Sequence, residues 1–77
     1  MNNQRRKEIL RILEWVQIQQ SDLENLRDEE QETYDAYEQN GMENSQNGET
    51  SCQALESLEE AVSNLEELID YLEEAGA

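Results

Sequence analysis

A heptad of aliphatic residues in the last third of this 77-residue chain restricts its fold most strongly. A Leu, Val or Ile returns at alternating intervals of three and four residues, at Leu55, Leu58, Val62, Leu65, Ile69 and Leu72. This spacing is typical of the contact seam of a helix that packs along another helix. It predicts a helix over residues 50–75, with Thr50 and Gln53 forming a capping box at its start and Gly76 ending it.

A second apolar stripe runs through the N-terminal half of the chain and predicts a longer helix over residues 3–39. The residues on or beside this stripe are Ile9, Ile12, Leu13, Trp15, Val16, Leu23, Leu26, Tyr34 and Tyr37. Ser21 and Glu24 have the spacing of a capping box, so a break there and a three-helix bundle remain an alternative. Because no Gly or Pro lies nearby and the stripe stays in phase, we favour one continuous helix.

The two helices are expected to be antiparallel neighbours joined by a loop over residues 40–49. The turn dipeptides Asn40-Gly41 and Asn47-Gly48 mark this loop, and Gly41 suits the left-handed residue that follows many helix ends. Charge favours the same arrangement, because an antiparallel hairpin sets a basic N-terminus beside an acidic C-terminal turn. The residues involved are Arg5, Arg6 and Lys7 on one side and Glu66, Glu67, Asp70, Glu73 and Glu74 on the other.

A chain of this size buries little surface by itself, so small domains usually need a disulfide, a metal or self-association. Cys52 is the one cysteine and the chain has no histidine, which leaves self-association. We therefore predict a single all-α domain over residues 1–77, an antiparallel, coiled-coil-like helical hairpin that dimerises into a four-helix bundle. The expected seam and dimer contacts are Ile9, Ile12, Trp15, Val16, Leu23, Leu26, Leu55, Leu58, Val62, Leu65, Ile69 and Leu72.

The formal net charge of −15 restricts the partners of the chain. Nucleic acids and anionic membranes are themselves polyanions, so direct binding to either is not expected. No apolar run reaches the roughly 18 residues of a membrane span. A cytoplasmic location in a bacterial cell is expected, and a lone free cysteine fits a reducing compartment.

The carboxylates are the main candidates for function, and we expect binding, not catalysis. Pairs such as Glu56 with Glu59 have the E-x-x-E form that holds Mg²⁺ in some helical hydrolases, but so many acids produce this spacing by chance. No basic residue lies nearby to hold a triphosphate. No cofactor, metal ligand or catalytic residue is therefore assigned. Cys52 lacks a histidine base and is interpreted as a small residue in the first turn of the second helix.

Two surfaces are expected to contact a partner. The first is an overhang, Asp28 to Glu38, where the longer first helix would extend past the second. The other is the outer side of the second helix, where rows of carboxylates could imitate phosphates and bind a basic DNA-binding surface. The expected contact residues are Asp28, Glu29, Glu30, Glu32, Tyr34, Tyr37, Glu66, Glu67, Asp70, Glu73 and Glu74.

The run from Arg27 to Asp35, R-D-E-E-Q-E-T-Y-D, followed by the Ala/Leu/Glu heptad helix, resembles a group of short acidic proteins. These proteins are encoded by bacteriophages, prophages and mobile elements of low-GC bacteria, and the group has no assigned activity. The resemblance implies a phage or mobile-element context, in which small acidic proteins often neutralise host or defence proteins. It therefore favours, as an expectation, a partner with a basic surface that is inhibited by DNA mimicry. The alternative is a structural or assembly module, in which the Leu seam drives oligomerisation and the acids only solubilise the chain.

Overall fold

The computed structural model describes residues 2–77 and consists of two helices, α1 over Asn3–Gln39 and α2 over Gln46–Ala75. They lie side by side as a rod 57 Å long and 14 Å across. The predicted all-α antiparallel hairpin is therefore confirmed. α1 is continuous through Ser21, so the three-helix alternative is wrong.

The two ends of α1 are closed by local sequence. The Asn2 side chain accepts a hydrogen bond from the backbone N–H of Arg5 at 2.9 Å and caps the first turn. At the other end the N–H of Gly41 donates to Glu38 at 3.0 Å, and that of Met42 donates to Tyr37 at 2.7 Å. This is a Schellman motif, and Gly41 has the left-handed φ of +66° that the sequence predicts.

α2 begins at Gln46, so the prediction that Thr50 and Gln53 cap it is wrong. Ser45 is the cap, because its Oγ accepts a hydrogen bond from the N–H of Gly48 at 3.1 Å. The Thr50 hydroxyl instead donates to the carbonyl of Gln46 within the helix at 2.9 Å. The loop is correspondingly shorter than the predicted range 40–49.

Gly48 explains why a turn dipeptide is found inside a helix. A Cβ at this position would lie 2.7 Å from the carbonyl oxygen of Glu43 and would also collide with that of Met42. The first turn of α2 thus packs directly on the loop backbone, and only glycine permits the approach. Asn47-Gly48 signals a close crossing of two backbones, not a chain reversal.

The register of the hairpin follows from contacts at its two ends. A Cβ on Gly76 would lie 3.2 Å from the Ile9 side chain, and Ser51 hydrogen-bonds to Glu30 near the loop. With heptad positions lettered a to g, this register places the a and d residues of both helices along one shared seam. In each helix the residues alternate between position a and position d, beginning with a. They are Arg6, Ile9, Leu13, Val16, Gln20, Leu23, Arg27, Glu30, Tyr34 and Tyr37 of α1, and Gly48, Ser51, Leu55, Leu58, Val62, Leu65, Ile69, Leu72 and Gly76 of α2.

The apolar core is concentrated in the half of the rod that lies away from the loop. Leu13, Val16 and Ile69 form its buried centre, and Leu65 and Leu72 pack against them. Leu55 and Val62 are also buried, nearer the loop end of α2. Ile12, Trp15 and Leu26, predicted as seam or dimer contacts, are 42%, 62% and 50% exposed and so lie outside the core of the hairpin. They lie beside the seam, because Leu13 takes the position that Ile12 was expected to share.

The predicted attraction between the basic N-terminus and the acidic end of α2 produces no ion pair between the helices within residues 2–77. The two ion pairs of that range are local, Arg11 with Glu8 at 3.1 Å and Arg27 with Asp28 at 3.2 Å. α2 ends level with Ile9, so α1 continues past it by more than one turn. The apolar seam therefore holds the helices together, while the charges at most favour their orientation.

Candidate interaction faces

The seam divides the surface of the hairpin into two long sides. In an antiparallel pair the g rows of both helices border one side of the seam, and the e rows border the other. The c row lies next to the g row, and the b row lies next to the e row. The chemistry of these rows shows what each side can bind.

The first side, which we call the neutral face, carries no charged residue on α2. Its g and c rows there are Asn47, Thr50, Ala54, Ser57, Ala61, Asn64, Leu68, Tyr71 and Ala75. The g row of α1 adds Arg5, Ile12, Gln19, Leu26 and Thr33, with Trp15 beside it in the c row. Three carboxylates of α1 lie at the outer edge of this face, Glu8, Asp22 and Glu29, of which Glu8 is paired with Arg11.

The second side, which we call the acidic face, carries every carboxylate of α2. These residues occupy the e, b and f rows and are Glu49, Glu56, Glu59, Glu60, Glu66, Glu67, Asp70, Glu73 and Glu74. All nine are exposed, and none forms an ion pair within the described part of the chain. The face therefore carries a dense charge that no cation of residues 2–77 compensates by direct contact.

The predicted contact residues of α1 have different positions. Asp28, Glu29 and Glu32 are exposed, but they form no overhang, because α2 begins early enough to pair with this part of α1. Glu30 lies in the seam, half-buried, and its carboxylate accepts a 2.6 Å hydrogen bond from the buried hydroxyl of Ser51. It contributes to the fold and does not belong to an exposed contact surface.

The two tyrosines predicted as exposed contacts, Tyr34 and Tyr37, are half-buried and belong to the seam. Burial raises the pKa of the Tyr34 phenol above its ordinary value, and the neighbouring Cys52 and the Glu38 carboxylate raise the pKa further. An open cleft beside Tyr34 is lined by polar and acidic side chains, including Glu43, Glu49 and Glu56.

The contact residues predicted from the sequence did not include Tyr71, the most exposed aromatic residue of the described part of the chain. Tyr71 is 68% exposed and lies one turn from Leu68, which is 40% exposed, on the neutral face. The signal was present in the sequence, because Leu68 and Tyr71 are three residues apart and both lie on the flank of the Leu seam that has no acids. The flank of the seam without acids therefore indicated a candidate contact surface as clearly as the acidic rows did.

Two further properties concern the described residues alone. In residues 2–77 no three side chains of the types that ligate metals come together in a geometry that would hold an ion. Neither helix is both long enough and apolar enough over that range to cross a membrane.

Comparison with known proteins gave no match: no protein-family model, no curated protein and no solved structure is significantly similar to this chain.

Proposed function

We propose that this chain is a protein-binding protein that presents its acidic face to the basic surface of another protein. Nucleic acid is not the proposed partner, because it is a polyanion like the chain itself. The observation that carries the proposal is the segregation of all nine α2 carboxylates onto one exposed side without ion-pair partners in residues 2–77. Isolated solvated acids need no such segregation. A surface of one sign steers a partner of the opposite sign and aligns it.

The density of charge on this face supports imitation of a nucleic-acid strand. Eight carboxylates lie between Glu56 and Glu74, a stretch of helix about 27 Å long. One carboxylate therefore occurs about every 3 to 4 Å of axis, compared with one phosphate per about 3.4 Å of each DNA strand. A protein surface built to contact phosphates would find a similar number of anions along a straight rod.

The position of the Leu seam favours the acidic face over the alternative assembly role. Leu55, Val62 and Ile69 are buried against the chain's own α1, so the seam offers no surface to another molecule. The carboxylates are the larger exposed feature. We further propose that the partner is a host or defence protein that this chain inhibits, and this step rests only on the resemblance of the run from Arg27 to Asp35 to acidic proteins of mobile elements.

Capture from a bacterial lysate tests this function directly. The chain is immobilised and challenged at about 50 mM and 500 mM salt, with polyglutamate of equal charge as the control bait. Because contacts between charged surfaces weaken with salt, nucleic-acid-binding proteins should be retained at low salt and released at high salt. Duplex DNA should also displace them, since it would compete for the same surface.

Two results would contradict the proposal. One is retention of no nucleic-acid-binding protein at low salt. The other is retention of the same proteins, in the same amounts, by polyglutamate, because a flexible polyanion lacks the fixed spacing of the acidic face.

A further inference from the structure

The neutral face displays more apolar surface than a solvated side of a hairpin requires. Ile12, Trp15, Leu26, Leu68 and Tyr71 are each between 40% and 68% exposed there. Single exposed apolar residues are ordinary, but a group of them on one side marks an interaction surface. Trp and Tyr, two of the five, are also the residues most enriched in interfaces.

The register makes these side chains neighbours across the two helices. Facing g positions pair Ile12 with Ala75, Gln19 with Leu68, and Leu26 with Ala61. A large residue on one helix thus lies beside a smaller or polar one on the other. The resulting surface alternates raised and low positions along the rod, which is the relief that lets helices of two molecules interdigitate.

Charge restricts which molecule can cover this face. A second copy also carries a net charge of −15, so it is repelled from the acidic face and from the acidic rows of α1. The α2 half of the neutral face has no carboxylate from Thr50 to Ala75. It is the side on which two such acidic chains can approach each other closely. A basic partner would gain no charge complementarity there.

The size of the face agrees with this occupant. The rod is 57 Å long and 14 Å wide, and the neutral face occupies one of its long sides. A standard protein–protein interface buries about 800 Å² on each partner, which a side of these dimensions can supply. A chain this short also gains stability by enlarging its core through association.

We propose that a second copy of this chain docks on the neutral face, neutral face to neutral face, forming a symmetric four-helix bundle. In this dimer the Leu seam stays within each hairpin, and the neutral face forms the contact between copies. Such a contact uses the same patch on both subunits. Both acidic faces then lie on the outside, so the dimer offers two acidic faces to partners.

Light scattering on a size-exclusion column tests the dimer with a matched pair of variants. Ile12→Glu adds a charge to the neutral face, whereas Leu10→Glu adds the same charge on the other flank of α1, where Leu10 is 52% exposed. The wild type and Leu10→Glu should have twice the 9.0 kDa mass of the chain. Ile12→Glu should weaken the dimer at least about tenfold, because each copy would then bury a carboxylate without a partner in the interface.

A second variant and a spectroscopic signal guard against misfolding as the cause. Leu68→Glu alters the same face from α2 and should weaken the dimer similarly, while circular dichroism should remain helical for all variants. Trp15 is the single tryptophan, so its emission should shift to longer wavelength when the wild type is diluted into the monomer range.

Three results would overturn the inference: a monomeric wild type at about 100 µM, equal weakening by Leu10→Glu and Ile12→Glu, or Trp15 emission that does not change with concentration. A monomer that still captures basic proteins would refute the dimer and leave the proposed function intact. A dimer that captures no protein would refute the proposed function and leave the inferred dimer intact.

Discussion

The two long sides of the hairpin are built on the same pair of helices, yet they differ in every chemical respect. One step to one side of the α2 seam lie Ala54, Ala61, Leu68 and Ala75, and one step to the other side lie Cys52, Glu59, Glu66 and Glu73. The seam between these two rows determines how the helices pack, and this packing does not depend on which residues occupy the rows beside it. The heptad thus explains the architecture, while the rows beside it determine what can be bound.

Breaking the seam should remove both faces together and gives the largest expected effect. Val62 is 3% exposed, so Val62→Asp would bury a carboxylate without a partner, a cost of about 3–5 kcal/mol. That is comparable with the whole stability of a small domain, and the helical signal in circular dichroism should be lost at 25 °C. A cooperative melt close to that of the wild type would show that the faces do not depend on this seam.

A smaller effect distinguishes structural acids from those of the exposed surface. Glu30→Ala would leave the buried Ser51 hydroxyl without its 2.6 Å partner and should lower the free energy of unfolding by about 1–3 kcal/mol. Glu32→Ala, two residues away and exposed, is the matched control and should change it by less than about 0.5 kcal/mol. If urea unfolding shows the same loss of free energy of unfolding for Glu30→Ala and Glu32→Ala, Glu30 has no special role in the fold and belongs with the exposed contact residues.

The smallest effect is repulsion among the carboxylates of the acidic face. Replacing Glu59, Glu66 and Glu73 by Gln should raise the melting temperature by a few degrees at low salt, because net charge opposes the compact state. The gain should disappear near 0.5 M salt, where the Debye length falls to a few ångströms. A gain that persists at high salt would indicate a cause other than charge.

The sequence predicted the architecture and missed part of its register, for a definite reason. Ile12 and Leu13 are adjacent, and both fit an apolar stripe, so periodicity could not decide which one faces α2. The seam continues through Gln20, Arg27 and Glu30, polar residues that a search for apolar spacing passes over. Their positions in the seam follow only from the residues of α2 that pack opposite them.

The start of α2 was missed because local signals conflict there. Asn47-Gly48 has the form of a turn and Thr50 the form of a cap, whereas Ser45 begins the helix one turn earlier. The requirement for glycine comes from the loop backbone beside it, a tertiary contact that no local pattern contains. The acid-free flank of α2 was visible in its heptad, but which residues of α1 border it, Ile12 and Leu26 among them, depends on the register.

Two triple variants of equal charge test whether binding depends on the side of the hairpin that carries the carboxylates. One replaces Glu59, Glu66 and Glu73 on the acidic face by Gln. The other replaces Glu8, Asp22 and Glu29, at the edge of the neutral face, by Gln, Asn and Gln. Each variant removes three negative charges from the chain, so a difference in binding between the two variants cannot be caused by net charge.

The measurement is the amount of DNA-displaceable protein that each variant captures from the same lysate at low salt. The acidic-face variant should lose at least about tenfold, since each lost contact to a basic surface removes part of the electrostatic attraction. The control variant should capture as much as the wild type. Equal losses in both variants would contradict the account, because binding would then follow net charge and not the acidic face.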